Sequence, residues 1–133
     1  MSAYQIIEGV ILTTLPGAQV ETGFGKSLDE FLGRTALASD VAAFITLSLA
    51  EPKQKRQSNG GGFIDRYTIY LRARANPTDV MKGYHDLYLP LRSALDGKEF
   101  QDANSEWFTI SVDTCAPLYD KGYDAFAIDA VVE

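Results

Sequence analysis

The chain has few of the residues that build covalent or metal-based chemistry. Its 133 residues include one cysteine, Cys115, and one histidine, His85. One cysteine cannot close a disulfide within the chain, and one histidine cannot supply a His-rich metal site or a serine triad without ligands from elsewhere. We therefore expect Cys115 to be a packed structural thiol and His85 to be a solvated or partner-contacting side chain.

Long apolar runs are also missing. No segment approaches the roughly 18 apolar residues of a membrane-spanning helix. Residues 1–5 lack the basic start and the cleavage site of a signal peptide. The composition, 46% apolar and 23% charged, is ordinary for a globular chain, and the length fits a single domain over residues 1–133. These features predict a protein that is made and used in a cytosol.

Two patterns faintly suggest chemistry, and both are incomplete. Residues 23–27 read Gly-Phe-Gly-Lys-Ser, but the first glycine of a phosphate-binding loop would fall on Val20. Asp113 and Asp129 are expected to face each other on neighbouring strands, where two carboxylates can divide acid and base roles. The plainer interpretation is that both face water. No third group accompanies them, so we assign no catalytic residue, metal ligand or cofactor.

The chain does contain a long pair of strand-like runs joined by a basic loop. Residues 41–50 and 63–75 alternate between apolar and polar side chains, a pattern typical of strands with one face on a core. Between them, residues 51–63 form an extended, basic and glycine-rich loop that is far longer than a tight hairpin needs. Loops of about a dozen residues are usually functional or disordered. The pattern predicts a β-hairpin that protrudes from its sheet.

Two helices are predicted from the spacing of apolar residues and from their caps. The first covers residues 2–15 and ends at Pro16-Gly17. The second begins at Asn76-Pro77 and ends at Gly97, and Pro90 should kink it. Its buried stripe is expected to contain six apolar side chains: Val80, Tyr84, Leu87, Tyr88, Leu91 and Leu95.

Shorter patterns complete the order of elements. Residues 18–22 could form a weak strand, and residues 27–32 one or two helical turns. Two alternating strands at 108–112 and 126–132 close the chain, joined by a turn-rich linker at 116–122. The order predicts an α+β fold in which a mostly antiparallel sheet has helices packed on one face.

Charge is distributed unevenly along the chain. Residues 51–75 carry six basic and two acidic side chains, a net charge of +4, so the other residues carry −10 within the total of −6. This asymmetry favours self-association through complementary surfaces, or a basic arm for another partner. The alternative is that the basic side chains only solubilise an exposed hairpin. A sequence pI of about 4.7 argues against a dedicated nucleic-acid domain.

The order and size of these elements resemble the tail terminator (tail completion, or minor capsid-type) proteins of long-tailed bacteriophages. The resemblance covers most of the chain. It includes the helix 2–15, the hairpin 41–75 ending in Tyr67-Thr68-Ile69-Tyr70-Leu71-Arg72-Ala73-Arg74, the helix after Asn76-Pro77-Thr78-Asp79, its end at Leu91-Arg92-Ser93-Ala94-Leu95-Asp96-Gly97, and the closing strand pair.

The resemblance implies a structural virion protein of the tail or neck, assembled in the host cytoplasm. Such a protein forms a ring, expected to be a hexamer, that closes the tail tube and joins it to the head-side connector or stopper protein. DNA would pass through the lumen without sequence-specific binding, and the family brings no catalytic residue or cofactor. The arm would reach onto a neighbouring subunit or the tube. Seven residues are the interface candidates: Lys53, Lys55, Arg56, Arg66, Tyr70, Arg72 and Arg74.

Two other functions remain open at this point. One is a small non-catalytic module that binds a ligand or nucleic acid in a pocket lined by Tyr67, Tyr84, Tyr88 and Trp107. The other is a small enzyme that uses carboxylates across a subunit interface, which would depend on Asp113 or Asp129.

Overall fold

In the part of the chain that the structure describes, a six-stranded sheet is accompanied by two helices. The structure is a computed structural model that describes residues 3–23, 41–52, 63–74, 78–101, 105–118 and 123–133. The elements in chain order are α1 (Ala3–Thr14), β1 (Gln19–Gly23), β2 (Val41–Pro52), β3 (Phe63–Arg74), a π-helical segment (Tyr84–Tyr88), α2 (Leu89–Leu95), β4 (Glu99–Gln101), β5 (Trp107–Leu118) and β6 (Tyr123–Val132).

The sheet is mixed, with the strand order β1-β2-β3-β6-β5-β4. β1 pairs with β2 in parallel, and the other four pairings are antiparallel. The α+β class predicted from the sequence is therefore confirmed. The parallel edge strand was not predicted, because the weak pattern of residues 18–22 carries no information on strand direction.

A row of three isoleucines crosses the middle of the sheet. Ile69 of β3 lies opposite Ile45 of β2 on one side and Ile128 of β6 on the other, and all three are almost completely buried. We call the side of the sheet that bears this row the core face and the opposite side the outer face. Helix residues such as Ile11 and Leu91 belong to the same buried cluster as the row.

The first helix was predicted correctly. α1 covers Ala3–Thr14 and buries Ile7, Val10 and Ile11. Gly17, with a φ of 84°, follows the helix in the left-handed conformation that glycine adopts most easily. An amphipathic stripe and a glycine stop therefore define this element, as the sequence indicated.

The second helix begins later than predicted. Helical residues begin at 82, and residues 78–81 form a turn in which Asp79 Oδ1 accepts a hydrogen bond from the Met81 N–H at 3.2 Å. Because this turn precedes the helix, Val80 is 82% exposed and does not belong to the buried stripe. The rest of the predicted stripe is partly or fully buried, and Gly97, with a φ of 83°, follows the helix as predicted.

Pro90 disturbs this helix in a specific way. Proline has no N–H, and its ring crowds the carbonyl four residues earlier. In the preceding π-helical segment the Leu89 N–H bonds to the Tyr84 carbonyl, five residues back. The wider turn thus lies directly ahead of the proline, at the residues where the sequence predicted a kink.

The closing strands are longer than predicted. β5 continues through Leu118, so residues 116–118 of the predicted linker are strand. Its pairing with β6 extends to Leu118 opposite Ala125, whereas β4 covers only residues 107–109 on its other side. The sequence predicted a turn-rich linker from residue 116, and this linker includes Pro117. Proline is tolerated in an edge strand where its missing N–H faces away from the sheet.

The uncovered edge of β5 has few free N–H groups. Ile110 exchanges backbone hydrogen bonds with Gly97 and Lys98, so its polar groups point away from β6. Two residues later, the Val112 N–H points the same way and donates to Asp96 Oδ1 at 2.9 Å. Asp113 then forms a bulge, and Pro117 has no N–H to offer. These three features limit the pairing of this edge with a further strand.

The two long strands predicted at 41–50 and 63–75 are present and pair antiparallel. Their pairing runs from Val41–Ala73 to Pro52–Phe63, with an extra residue at Ser48. The predicted arm residues beyond this pairing, together with the helical turns expected at 27–32, lie outside the described residues. β2 and β3 thus remain paired up to the point where the arm begins.

The outer face is covered at one end of the sheet. Ala42, Phe44 and Ala125 are buried there although their neighbours along each strand face the core. Phe44 stacks on Tyr70 with ring centroids 6.3 Å apart. Side chains on this part of the outer face are therefore not on a solvated surface.

The close approach of Gly83 to β6 leads to a testable prediction about the packing of the second helix against this strand. Gly83 is buried in helical conformation, and a Cβ built on it would lie 2.7 Å from Asp124 Cβ. We expect Gly83→Ala to destabilise the protein by about 1–3 kcal/mol through overpacking. Urea denaturation followed by circular dichroism measures this change.

Gly9→Ala is the matched control for this prediction. A Cβ at Gly9, on α1, would have nothing within 4 Å, so alanine there should stabilise the fold by up to about 1 kcal/mol. Equal effects of the two substitutions would show that the contact between Gly83 and Asp124 is unimportant.

Candidate interaction surface

The seven interface candidates do not form one patch. Lys53, Lys55 and Arg56 lie outside the described residues. The other four follow one another on the outer face of β3, where Arg66 and Arg74 lie eight residues apart, roughly 27 Å along a strand. Only Arg66 is close to the end of β3 from which the arm departs.

Arg66 is held in place by a cross-strand ion pair. Its Nη1 lies 3.2 Å from Asp113 Oδ2, and the two side chains are 39% and 54% exposed. Exposed pairs of this kind contribute little to stability. The pair orients the guanidinium at the surface of the outer face, where another molecule could contact it.

Arg72 differs from the expectation. It is 4% exposed, so its guanidinium is inside the subunit and does not lie on a surface that water or a partner reaches. The physical reason is the covered part of the outer face, since Arg72 lies opposite Ala42 and Ala125, which are also buried. Tyr70, next to it on the same face, is half-buried against Phe44, and Arg74 is exposed.

A β-bulge separates the two carboxylates that the sequence placed opposite each other. Val112 of β5 pairs with Ala130 of β6. In a regular ladder the next residue of β5, Asp113, would therefore pair with Asp129. The register shifts at this point, so Thr114 takes that place and Asp113 turns towards Arg66. The expected facing pair is therefore wrong. The bulge avoids two like charges directly opposite each other, an arrangement that destabilises a sheet.

Asp129 accepts hydrogen bonds from the strands on both sides. Thr68 Oγ1 donates to its Oδ1 at 3.1 Å, and Thr114 Oγ1 donates to its Oδ2 at 3.1 Å. The carboxylate therefore links three strands across the outer face. This arrangement is structural, and nothing in it sets up an acid next to a base.

The single histidine and the single cysteine agree with their expected environments. His85 is exposed and contacts the Tyr84 ring edge-on, with centroids 5.5 Å apart. Cys115 is half-buried against the core cluster, and burial raises the pKa of its thiol. A raised pKa lowers the thiolate fraction, which is opposite to what a nucleophilic cysteine needs.

A cavity of about 380 Å³ lies between the two helices. Apolar and polar residues of α1 and residues around the end of α2 line it: Gln5, Ile6, Gly9, Val10, Thr13, Thr14, Ala94 and Lys98. None of the four aromatic residues predicted to line a pocket is among them. Of those four, Tyr84 and Tyr88 pack against each other with ring centroids 5.3 Å apart.

Trp107 is the surface residue whose placement sequence reasoning missed. It was a candidate lining residue only for the alternative ligand-binding module, and its side chain is 67% exposed. The alternation of β5 contained the necessary signal, because Phe108 follows it on the strand and was assigned to the apolar side. The residue before Phe108 must then lie on the outer face.

No protein-family model matches the chain, and the search of curated proteins returns no match. Within the described part of the chain, no helix is long and apolar enough to cross a membrane. The same residues contain no group of three or more metal-ligating side chains. The function must therefore be inferred from the surface itself.

We expect substitutions of Asp129 and Asp113 to lower the stability of the protein by different amounts. Asp129→Ala leaves the hydroxyl of Thr68, which is buried, without its acceptor, and we expect a loss of about 1–3 kcal/mol in the free energy of unfolding. Asp113→Ala removes only an exposed ion pair and should cost less than about 1 kcal/mol. Urea unfolding of both variants measures the difference, and a greater loss in Asp113→Ala would contradict this account.

Cys115 predicts slow alkylation in the folded protein. Its raised pKa means that less thiolate is present just above neutral pH than in the unfolded chain, and half-burial further limits access. We expect iodoacetamide to react more slowly with the native protein than with the urea-unfolded protein, measured by mass spectrometry over time. Raising the pH should speed the native reaction. Equal rates at all pH values would show that the thiol is unshielded.

Proposed function

We propose that this protein is a structural virion subunit that forms an oligomeric ring at the end of a phage tail tube and joins it to the head-side connector. In this proposal the helices pack on one face of the sheet, and the β2–β3 hairpin protrudes to contact a neighbouring subunit or the tube. The ring is a hexamer through which DNA passes, and the protein catalyses no reaction.

The observation that carries the proposal is the length of the β2–β3 pair. Each strand has 12 residues, about twice the usual length of a strand. The pairing is maintained from the middle of the sheet to Pro52 opposite Phe63. Such a ladder is a stiff support for the basic residues that follow, and stiffness reduces the entropy lost when an arm binds.

The chemistry of the described residues agrees with a role in assembly. The two candidate carboxylates are used in an ion pair with Arg66 and in hydrogen bonds from threonines. The thiol of Cys115 has a raised pKa. Neither arrangement activates a nucleophile or poises a general base.

The edge of β5 supports an assembly that does not grow by adding strands. Asp96 accepts from the Val112 N–H, and Pro117 offers no N–H further along. With that edge blocked in these places, the proposal assigns contacts between subunits to side chains and to the arm. A contact from an arm to a different surface on the next copy is of the head-to-tail kind, which produces closed rings when the rotation is suitable.

A ligand-binding module is the second candidate. The cavity between the helices favours it, because a volume of about 380 Å³ is within the range of small-molecule sites. Its lining is more apolar than polar, with Lys98 as the charged residue. A module of this kind would bind its ligand as a monomer, and a ring subunit would not remain one.

Reversing the charge of the arm is the direct test of the proposed function. We expect Lys53→Glu/Lys55→Glu/Arg56→Glu to block association while changing the free energy of unfolding by less than about 0.5 kcal/mol, as surface substitutions do. Light scattering over a concentration series, with and without tail-tube protein, measures the mass. The wild-type chain should form a discrete oligomer or a complex with the tube.

The control carries the same change of charge on exposed basic residues outside the arm, namely Lys82→Glu/Arg92→Glu/Lys98→Glu. It should assemble like the wild type. Unchanged assembly of the arm variant would exclude the arm as the interface. A wild-type monomer that ignores the tube would contradict the ring and favour the ligand-binding module.

A further inference from the structure

Trp107 is presented outward by the strand that carries it. Phe108, the next residue, stacks on Phe100 on the core face with ring centroids 5.5 Å apart. Successive side chains of a strand point to opposite faces, so Trp107 lies on the outer face, where it is 67% exposed. Exposed tryptophan is rare on surfaces without partners and common at the energetic centre of interfaces.

Two glutamates lie on the same face beside this tryptophan. Glu99 of β4 pairs with Thr109 of β5, and Trp107 pairs with Gln101. On the other side, Thr109 and Glu133 exchange backbone hydrogen bonds at 2.9 and 3.2 Å. Directly paired residues share a face, and so do residues two apart on one strand. Glu99 and Glu133 therefore lie on either side of Thr109, and Thr109 is the neighbour of Trp107 along the same face of β5.

The start of β5 is held by local contacts. Gln101 Nε2 donates to the Ser105 carbonyl at 2.9 Å. Ser105 has a φ of 64°, a left-handed conformation that costs a non-glycine residue free energy. Backbone strain of this kind persists where surrounding contacts enforce it. The backbone two residues before Trp107 is thus tied to β4.

We propose that the surface formed by Trp107, Glu99 and Glu133 receives the basic arm of a second copy of this chain, residues 53–56. We call this surface the acceptor patch. The inference rests on the proposed function, and it names the site that the arm occupies. Lys53, Lys55 and Arg56 would pair with the two carboxylates and place a cation over the indole ring.

Complementary charge is the first argument for this occupant. The acceptor patch offers two exposed carboxylates around an aromatic ring, and the arm has three cations within four residues. A cation over an indole gains about 0.5–2 kcal/mol, more as water is excluded. The same attraction steers two copies into the correct orientation before contact.

Position is the second argument. The arm leaves the sheet after Pro52, and the register that pairs Ala50 with Asp65 also pairs Asp65 with Val132. The arm and the acceptor patch are therefore at the same end of the sheet. Because Trp107 is largely exposed, its ring is open to contact from a second copy.

The fluorescence of the single tryptophan tests the inference directly, because the chain has no other. One full-length variant, Lys53→Glu/Lys55→Glu/Arg56→Glu, keeps Trp107 and can only accept an arm. A second, Trp107→Phe, has the wild-type arm and no tryptophan signal. Titrating the second into the first should shift the emission to shorter wavelength and reduce quenching by acrylamide.

Reversing the charge of the acceptor patch is the complementary test to reversing the charge of the arm. Glu99→Lys/Glu133→Lys in the accepting chain should weaken the fluorescence titration at least about tenfold. Glu8→Lys/Asp86→Lys, with the same charge change on the two helical regions, should not. A chain with the reversed patch and the wild-type arm should remain monomeric by itself. It should associate when it is mixed with the chain that has the reversed arm, because each arm then meets a patch of opposite charge.

The outcomes separate this inference from the proposed function. If the wild type forms a ring while acrylamide still quenches Trp107 fully, the proposed function is supported and the acceptor patch is wrong. If emission is already shifted at the lowest concentration in the wild type, the arm binds its own chain and the second copy is wrong. If no association occurs at any concentration, with or without tube protein, both fail.

Discussion

The register of the three central strands is the constraint on which the other features of the protein depend. Ile45, Ile69 and Ile128 lie side by side in neighbouring strands and are buried together. A slip of one residue would move each of these side chains to the opposite face. Burying three β-branched side chains in one row therefore fixes which residues of β3 face outward, including Arg66 and Thr68, and fixes where the paired strands end.

Much of this arrangement could be predicted because alternation and helical spacing are local properties. The long alternating runs around Ile45 and Ile69 gave β2 and β3, and the apolar stripe of α1 gave the first helix. The start of the second helix could not be predicted, since Asp79 forms a turn through its side chain where the first turn of the helix was expected. The extent of β5 was missed because Pro117 is compatible with an edge position that only the folded sheet reveals.

The candidate surface was less predictable, and the reasons are specific. The positions of the basic residues on one face of β3 followed from alternation, but the burial of Arg72 depends on what covers the outer face. The separation of Asp113 from Asp129 depends on one extra residue in β5. Trp107 was assigned to a pocket because aromatic residues usually are buried, although the strand pattern already placed it opposite Phe108.

The closed edge of β5 also bears on what happens when many copies are crowded together. Asp96 and Pro117 remove the hydrogen-bond donors that a passing strand would use. At high concentration, a bare edge on one copy pairs readily with a strand of another. Blocking the backbone at this edge leaves recognition to side chains, which can tell one orientation from another, whereas a bare ladder accepts any strand that arrives. At this edge, association then depends on a geometrically correct encounter of side chains, which disfavours disordered fibres.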